Sequence, residues 1–494
     1  MNIENQLKNQ HLLWRAGFGI AYRDISKLGK ISTHKLLKKI MEGSQQPVVT
    51  IPLRNSCVID LTLELESYNK ATMPKDDFQQ KKDANRKEFN TQSNEDIKQM
   101  SLDWMDEMTF SDARLREKMA LFWHGHFACI VGNSICQQQL LDIIRRNALG
   151  DFGTLLSEVS KSASMISFLN NLQNRKQHPN ENFAREVMEL FTMGRGNYSE
   201  EDVREAARAF TGWQYEKNYA FTFNQKIHDD GSKTILGQTG NFNGDDVLAI
   251  ILKQKQTALF ITRKIYRNFV NETPDEGHVS WLSERFFDNN YNIEKLMLDI
   301  FSSDWFYEPV NIGTHIKSPV EYIIGIRTLL PMTIQNEEVQ ILIQRLLGQW
   351  LFNPPNVAGW PGGKAWIDSS SLMLRLAIPA LIKNDIAIDL KPKSNDDVQM
   401  GRKETFDVGA NNKKKKPGSP YQILTTIDWQ AFQKTLNEKE TNELLQKLKM
   451  ILIQASNSNL SDAAILSNTK NTDPITFLET ATIALMSTPE YQLC

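Results

Sequence analysis

Apolar residues recur along most of this chain at spacings of three and four, the period that lines one face of an α-helix. In SEEDVREAARAFTGW, Val203, Ala206, Ala207 and Phe210 fall at i, i+3, i+4 and i+7. Ser199 and Asp202 stand ahead of them at capping-box spacing, and Gly212 closes the run. TALFITRKIYRNFV repeats the pattern, with Ile261, Ile265 and Phe269 on one stripe and Arg263, Lys264 and Arg267 left for the wet side. SPVEYIIGIRTLL and ETNELLQKLKMILIQ read alike. The fold class expected is therefore mainly α, with one large helical domain over 1–390 and a C-terminal helical segment, 421–494, packing on it.

Two stretches break the helical period. YAFTFNQKIHDDGSKTILG alternates Tyr219, Phe221 and Phe223 and then reaches Asp230–Gly231, a dipeptide suited to a type I′ turn, which predicts one short β-hairpin over about 219–237. In GQWLFNPPNVAGWPGGKAWIDSSS, Pro354, Pro355, Pro361, Gly359, Gly362 and Gly363 forbid regular structure, so Trp350, Trp360 and Trp366 belong to a long shaped loop. Residues 66–100, rich in Lys, Asp, Asn and Gln, read as a weakly ordered insertion, and 391–420, containing NNKKKKPGSP, as a flexible linker.

Charge narrows the function classes. Lys and Arg total 57 against 59 Asp and Glu, a net charge of -2 over 494 residues, which offers no general attraction to nucleic acid or anionic membrane. No apolar run is long enough to span a bilayer, and MNIENQLKNQ lacks the pattern of a secretory leader, so the expected location is cytoplasmic. Four cysteines, Cys57, Cys129, Cys136 and Cys494, are too few and scattered for a disulfide framework.

Four clusters carry candidate chemistry. FWHGH places His124 and His126 two apart; on a continuing helix they point roughly 200° apart and cannot share an ion, whereas a kink at Gly125 would let them. The bland account is a helix-end cap and a hydrogen-bonded core histidine. In NENFAREVMELFTMG, Asn182, Glu186 and Glu189 lie on one helix edge, where two carboxylates a turn apart can hold a divalent ion or split their pKa values into acid and base. Arg185, four from both Glu181 and Glu189, allows ordinary surface ion pairs instead. His228 and Asp229 precede the expected turn and could project from its tip, or simply make it. Trp360 and Trp366 could stack on a sugar or cap a pocket, and could equally plug the core. GxSxG, HExxH, GxGxxG and the phosphate-loop motif are all absent from the sequence.

Taken in order, HLLWRAGFG, REKMALFWHGHFA, NENFAREVMELFTMG, EEDVREAARAFTGW, HDDGSKTILG, KSPVEYIIG, NPPNVAGWPGGKAW and PEYQLC resemble the bacterial family named domain of unknown function 1800. The resemblance implies a large, mainly helical protein. It also implies a sulfatase- or phosphatase-like neighbour as partner, with co-export as an option. The family's polar blocks fall on His124, His126, Asn182, Arg185, Glu186, Glu189, His228 and Asp229. Many relatives are expected to carry histidine two places after the second glutamate; this chain has Phe191 there, which thins any ligand set.

These readings combine into one expectation. His124, His126, His228, Glu186 and Glu189 surround a divalent zinc, manganese or iron, with Glu186 or Glu189 as general base. Arg185, Asn182, Asp229, Trp360 and Trp366 shape the substrate or partner side of a hydrolase acting on a glycan or modified sugar. The alternative is a non-catalytic binding or assembly protein whose polar residues fix helix registry. A metal-free glycosidase using Glu186 and Glu189 ranks third, because carboxylates one turn apart flank the same side of a bond.

Overall fold

Val203, Ala206, Ala207 and Phe210 turn inward together, and all four are fully buried along and just beyond the helix Glu200–Ala209. Ser199 and Asp202 close the capping box ahead of it. The computed structural model describes residues 3–54, 75–383, 387–388, 421–438, 440–455 and 460–494. Cys57, residues 66–74 and the expected linker 391–420 lie outside these.

Helices dominate what is described. Lys255–Phe269 buries Ile261, Ile265 and Phe269 and packs on Glu276–Asp288. Pro319–Leu329 opens on a capping box between Ser318 and Glu321 with Pro319 in its first turn. It is buried nearly all round, the mark of a central core helix. Against it lies Lys75–Phe110. Residues 75–100, expected to be weakly ordered, are part of that helix. Ile97, Met100, Trp104, Met105 and Met108 anchor its second half in the core. Propagation then carries the polar half, where Gln79 reaches Asp83 and Gln92 reaches Glu88 one turn away.

The strands pair only in twos. In place of the single hairpin over 219–237 there are two: Trp213–Tyr215 with Phe221–Phe223, and Lys233–Ile235 with Gln238–Gly240. The tight turn of the second is Leu236–Gly237, at φ 47° and 79°, which supplies the two positive φ values of a type I′ turn. Asp230–Gly231 makes neither turn. Asp229 explains this: its carboxylate accepts the Gly231 N–H at 2.8 Å and Arg208 Nε and Nη2 at 2.8 and 3.2 Å, tying the connection to the preceding helix.

Described elements beyond residue 421 contact earlier ones. Thr425–Ile427 pairs with Met332–Ile334, and Pro474–Met486 lies against Thr441–Leu452 and Ser369–Lys383. The segment 492–494 runs antiparallel to 315–317: the N–H of His315 donates to the Cys494 carbonyl at 3.0 Å, and that of Lys317 to Gln492 at 2.9 Å. Lys317 is buried between the rings of Trp14 and Tyr491, 4.0 and 3.8 Å from their centroids. No described helix is long and apolar enough to cross a membrane.

Candidate functional site: a tryptophan-walled cleft

The helix Arg114–His126 carries three consecutive charges, and all of them are buried. Glu117, wholly excluded from solvent, accepts from Arg145 at 2.9 and 3.0 Å, from Arg116 at 2.9 Å and from the Trp104 indole at 2.9 Å. Lys118 points elsewhere, to the Trp14 carbonyl at 3.2 Å and to the carboxylate of Glu321. The helix runs through Gly125 without a kink, so the two imidazoles diverge. His124 Nε2 accepts the Phe352 N–H at 3.1 Å, with its ring packed by Trp104, Phe352 and Trp360. Burial takes its pKa down to about 3, so it is a neutral core residue. His126 faces the other way. Its Nε2 meets the Phe191 carbonyl at 3.0 Å and its Nδ1 the Lys264 ammonium at 3.0 Å, which requires Nε2–H as donor and Nδ1 as acceptor.

The other expected donors are engaged elsewhere. Asn182–Glu186 passes into a π-helical turn, Val187–Thr192. Glu189 accepts from the Tyr198 hydroxyl at 2.6 Å and pairs with Arg195 at 2.9 Å; these partners, Tyr198 foremost, hold its carboxyl below the ordinary range. Glu186 is half-buried, and burial, then the Glu189 charge, raises its pKa. Arg185 pairs with Glu181 and Glu200, and Asn182 donates to the Leu169 carbonyl at 3.1 Å. His228 is buried, its Nδ1 2.8 Å from the Thr211 carbonyl, rather than projecting from a hairpin tip. Among the described residues no group of three or more His, Cys, Asp or Glu is placed to hold a metal. Both nitrogens of His126 are already used, which gives the physical reason at that position. His124, His126, His228, Glu186 and Glu189 are therefore not expected to act as one ligand set, which elemental mass spectrometry on protein purified without an affinity metal tests. Stoichiometric metal that disappears in the His124→Ala, Glu189→Ala double variant would restore the ligand set.

A cleft of about 410 Å³ lies on the open side of His126. It is lined by His126, Lys264 and Arg267, by Trp360 and Trp366 of the loop, and by Lys118, His315 and Glu321, which are buried. The loop is seated by backbone contact. Gly359 has φ 86°, and a Cβ there would come within 2.2 Å of the Gly125 carbonyl oxygen, so the loop rides directly on the helix. Trp366 is buried and Trp360 half-buried.

Lys118, His315 and Glu321 form a buried ion network. Glu321 accepts from Lys118, from the Ser318 N–H at 2.6 Å and from His315 Nε2 at 3.2 Å. Burial opposes its charge, yet Lys118 and then His315 hold the carboxyl well below its ordinary pKa. Burial likewise lowers the pKa of His315, with Glu321 pulling the other way. The ring is thus neutral, with Nε2–H donating to Glu321 and a lone pair on Nδ1, which has no hydrogen-bond partner among the described residues. Lys264, expected on the wet side, is half-buried instead. It donates to His126 and to the Leu190 carbonyl at 3.3 Å, and burial brings its pKa down to about 8.

Sequence reasoning found His126, Trp360 and Trp366 but missed Lys118, Lys264, Arg267, His315 and Glu321. One signal was available: Arg116, Glu117 and Lys118 stand directly before the apolar run Met119–Trp123 of the same helix.

Fold and cleft together define a large, mainly helical protein with an aromatic and ionic cleft at the meeting point of several sequence blocks. The chain belongs to the family described as protein of unknown function (DUF1800), whose model matches residues 11–493. Comparison with curated proteins and with solved structures gives no match.

Proposed function

We propose that the chain is a hydrolase acting on a modified sugar or glycan, with His315 as general base and Glu321 as the group that orients it. One observation carries this reading: a neutral imidazole lines the cleft with one nitrogen fixed by a buried carboxylate and the other unpaired among the described residues. Trp360 and Trp366 supply flat apolar faces of the kind on which sugar rings stack. In ester hydrolysis a water would give its proton to Nδ1 as its oxygen attacks the acyl carbon. Collapse of the tetrahedral intermediate would break the bond to the sugar oxygen, which takes that proton back and leaves as the hydroxyl.

Acetate release from O-acetylated monosaccharides tests this. The expected result is turnover by wild type, a fall in kcat of about 10²–10⁴-fold in His315→Ala, measured below its lowered melting temperature because Glu321 loses a buried partner, and a raised KM in Trp360→Ala. No release by wild type would sink the hydrolase reading. It would leave a non-catalytic binding or assembly protein with a sulfatase- or phosphatase-like partner, which the buried Glu117 network, fixing helix registry, favours.

A further inference from the structure

We infer that the cleft selects an anionic substrate, a sugar bearing a carboxylate or a sulfate or phosphate ester, whose charged group is held by Lys264 and Arg267. This rests on reading the cleft as a sugar site, and it adds the substrate class.

Lys264 and Arg267 stand three residues apart on Lys255–Phe269, on one edge of that helix, and both line the cleft. Neither has a carboxylate partner among the described residues, whereas their neighbour Arg263 pairs with Glu276 at 2.5 Å. The partners they do have are neutral. The Lys264 ammonium spends two of its three N–H donors on His126 Nδ1 and the Leu190 carbonyl, leaving one. Arg267 uses Nε on the Glu272 carbonyl at 3.2 Å, leaving the outer edge of its guanidinium open. A point charge beside a planar fork matches the oxygens that carboxylates, sulfates and phosphates share.

Of the cleft's two carboxylates, Glu321 does not cancel this pair, and Glu272 has its carboxylate against the loop. Glu321 is neutralised by Lys118 and hydrogen-bonded by His315. Glu272 lies against the loop: a Cβ on Gly363 would come within 2.1 Å of its Oε1. His126 is then a positioning residue. Its ring N–H is fixed on the Phe191 carbonyl, so its lone pair holds the Lys264 ammonium at the cleft wall. This gives the second histidine of FWHGH a role, and it needs only the backbone of residue 191.

Isothermal titration of the full chain with methyl glucuronide, glucose 6-sulfate, glucose 6-phosphate and neutral methyl glucoside separates the sources of the anion. At least one anionic sugar should bind tenfold or more tighter than the glucoside, and added salt should weaken it. Lys264→Met and Arg267→Ala should each weaken that anionic sugar by roughly ten- to a hundredfold and leave the glucoside unchanged. Arg267 is exposed, so its variant keeps the test sound if Lys264→Met fails to fold. His315→Ala should retain the preference, so loss of acetate release alone bears on the hydrolase reading and not on this one. Equal binding of charged and neutral sugars, parallel loss of both in the variants, or no binding of any of the four overturns the inference.

Discussion

Glu117→Ala is expected to cost about 3–5 kcal/mol, a large share of the roughly 5–15 kcal/mol that holds a protein folded. The cost comes from what is left behind. Arg145 is wholly buried and Arg116 nearly so; without Glu117 both guanidiniums lose their buried counter-charge, and the Trp104 indole loses its acceptor. Arg116 and Arg145 also approach Glu107 at 3.6 and 3.2 Å, but that carboxylate is partly exposed and cannot replace a buried one. Urea denaturation followed by far-UV circular dichroism measures the loss. Glu201→Ala, on the surface beside Arg204, serves as the control and should leave the midpoint unmoved. A Glu117→Ala cost under about 1 kcal/mol would show that water reaches the guanidiniums and that the network does not set helix registry.

Gly359→Ala is expected to cost about 2–5 kcal/mol and to unseat the tryptophan loop. Its positive φ costs an alanine about 1–2 kcal/mol, and forcing a methyl group against the Gly125 carbonyl adds about 1–3 kcal/mol. Trp360 follows directly, so its emission should shift to the red as the indole leaves the side of His124. Gly125→Ala is the informative partner. A Cβ there meets only Trp360, at 3.8 Å, an ordinary contact, so it should be tolerated. If the Gly359 variant melts and emits like wild type, the loop is not held by this contact.

The helical frame was legible because burial is one-sided. Val203, Ala206, Ala207 and Phe210, or Ile261, Ile265 and Phe269, announce a face at short range, and caps such as Ser199 and Asp202 mark where it begins. The segment 75–100 was misread because local polarity describes a segment that must stand alone. This one is extended from a buried half that lies later in the chain. The hairpin turn was misplaced because Asp229 found Arg208, a partner no turn rule contains. The cleft was legible only in part. Trp360 and Trp366 betray themselves by their glycine and proline neighbours, whereas Lys118 and Glu321 are ordinary helix residues until folding brings them together. Lys264 sits beside a true surface arginine, and three-residue periodicity cannot tell which of the two turns inward.

The pairing of 315–317 with 492–494 also orders events in time. Lys317 Nζ donates to the carbonyl of Tyr491, 174 residues further on, so the layer bearing the proposed base is completed only when late-synthesised chain arrives. Until then the Lys317 ammonium lacks its Tyr491 partners, and one edge of 315–317 is left unpaired. Closing so long a loop is slow and exposes sticky intermediates. Ligand affinity should therefore emerge as the last phase of refolding, after the helical signal has already returned.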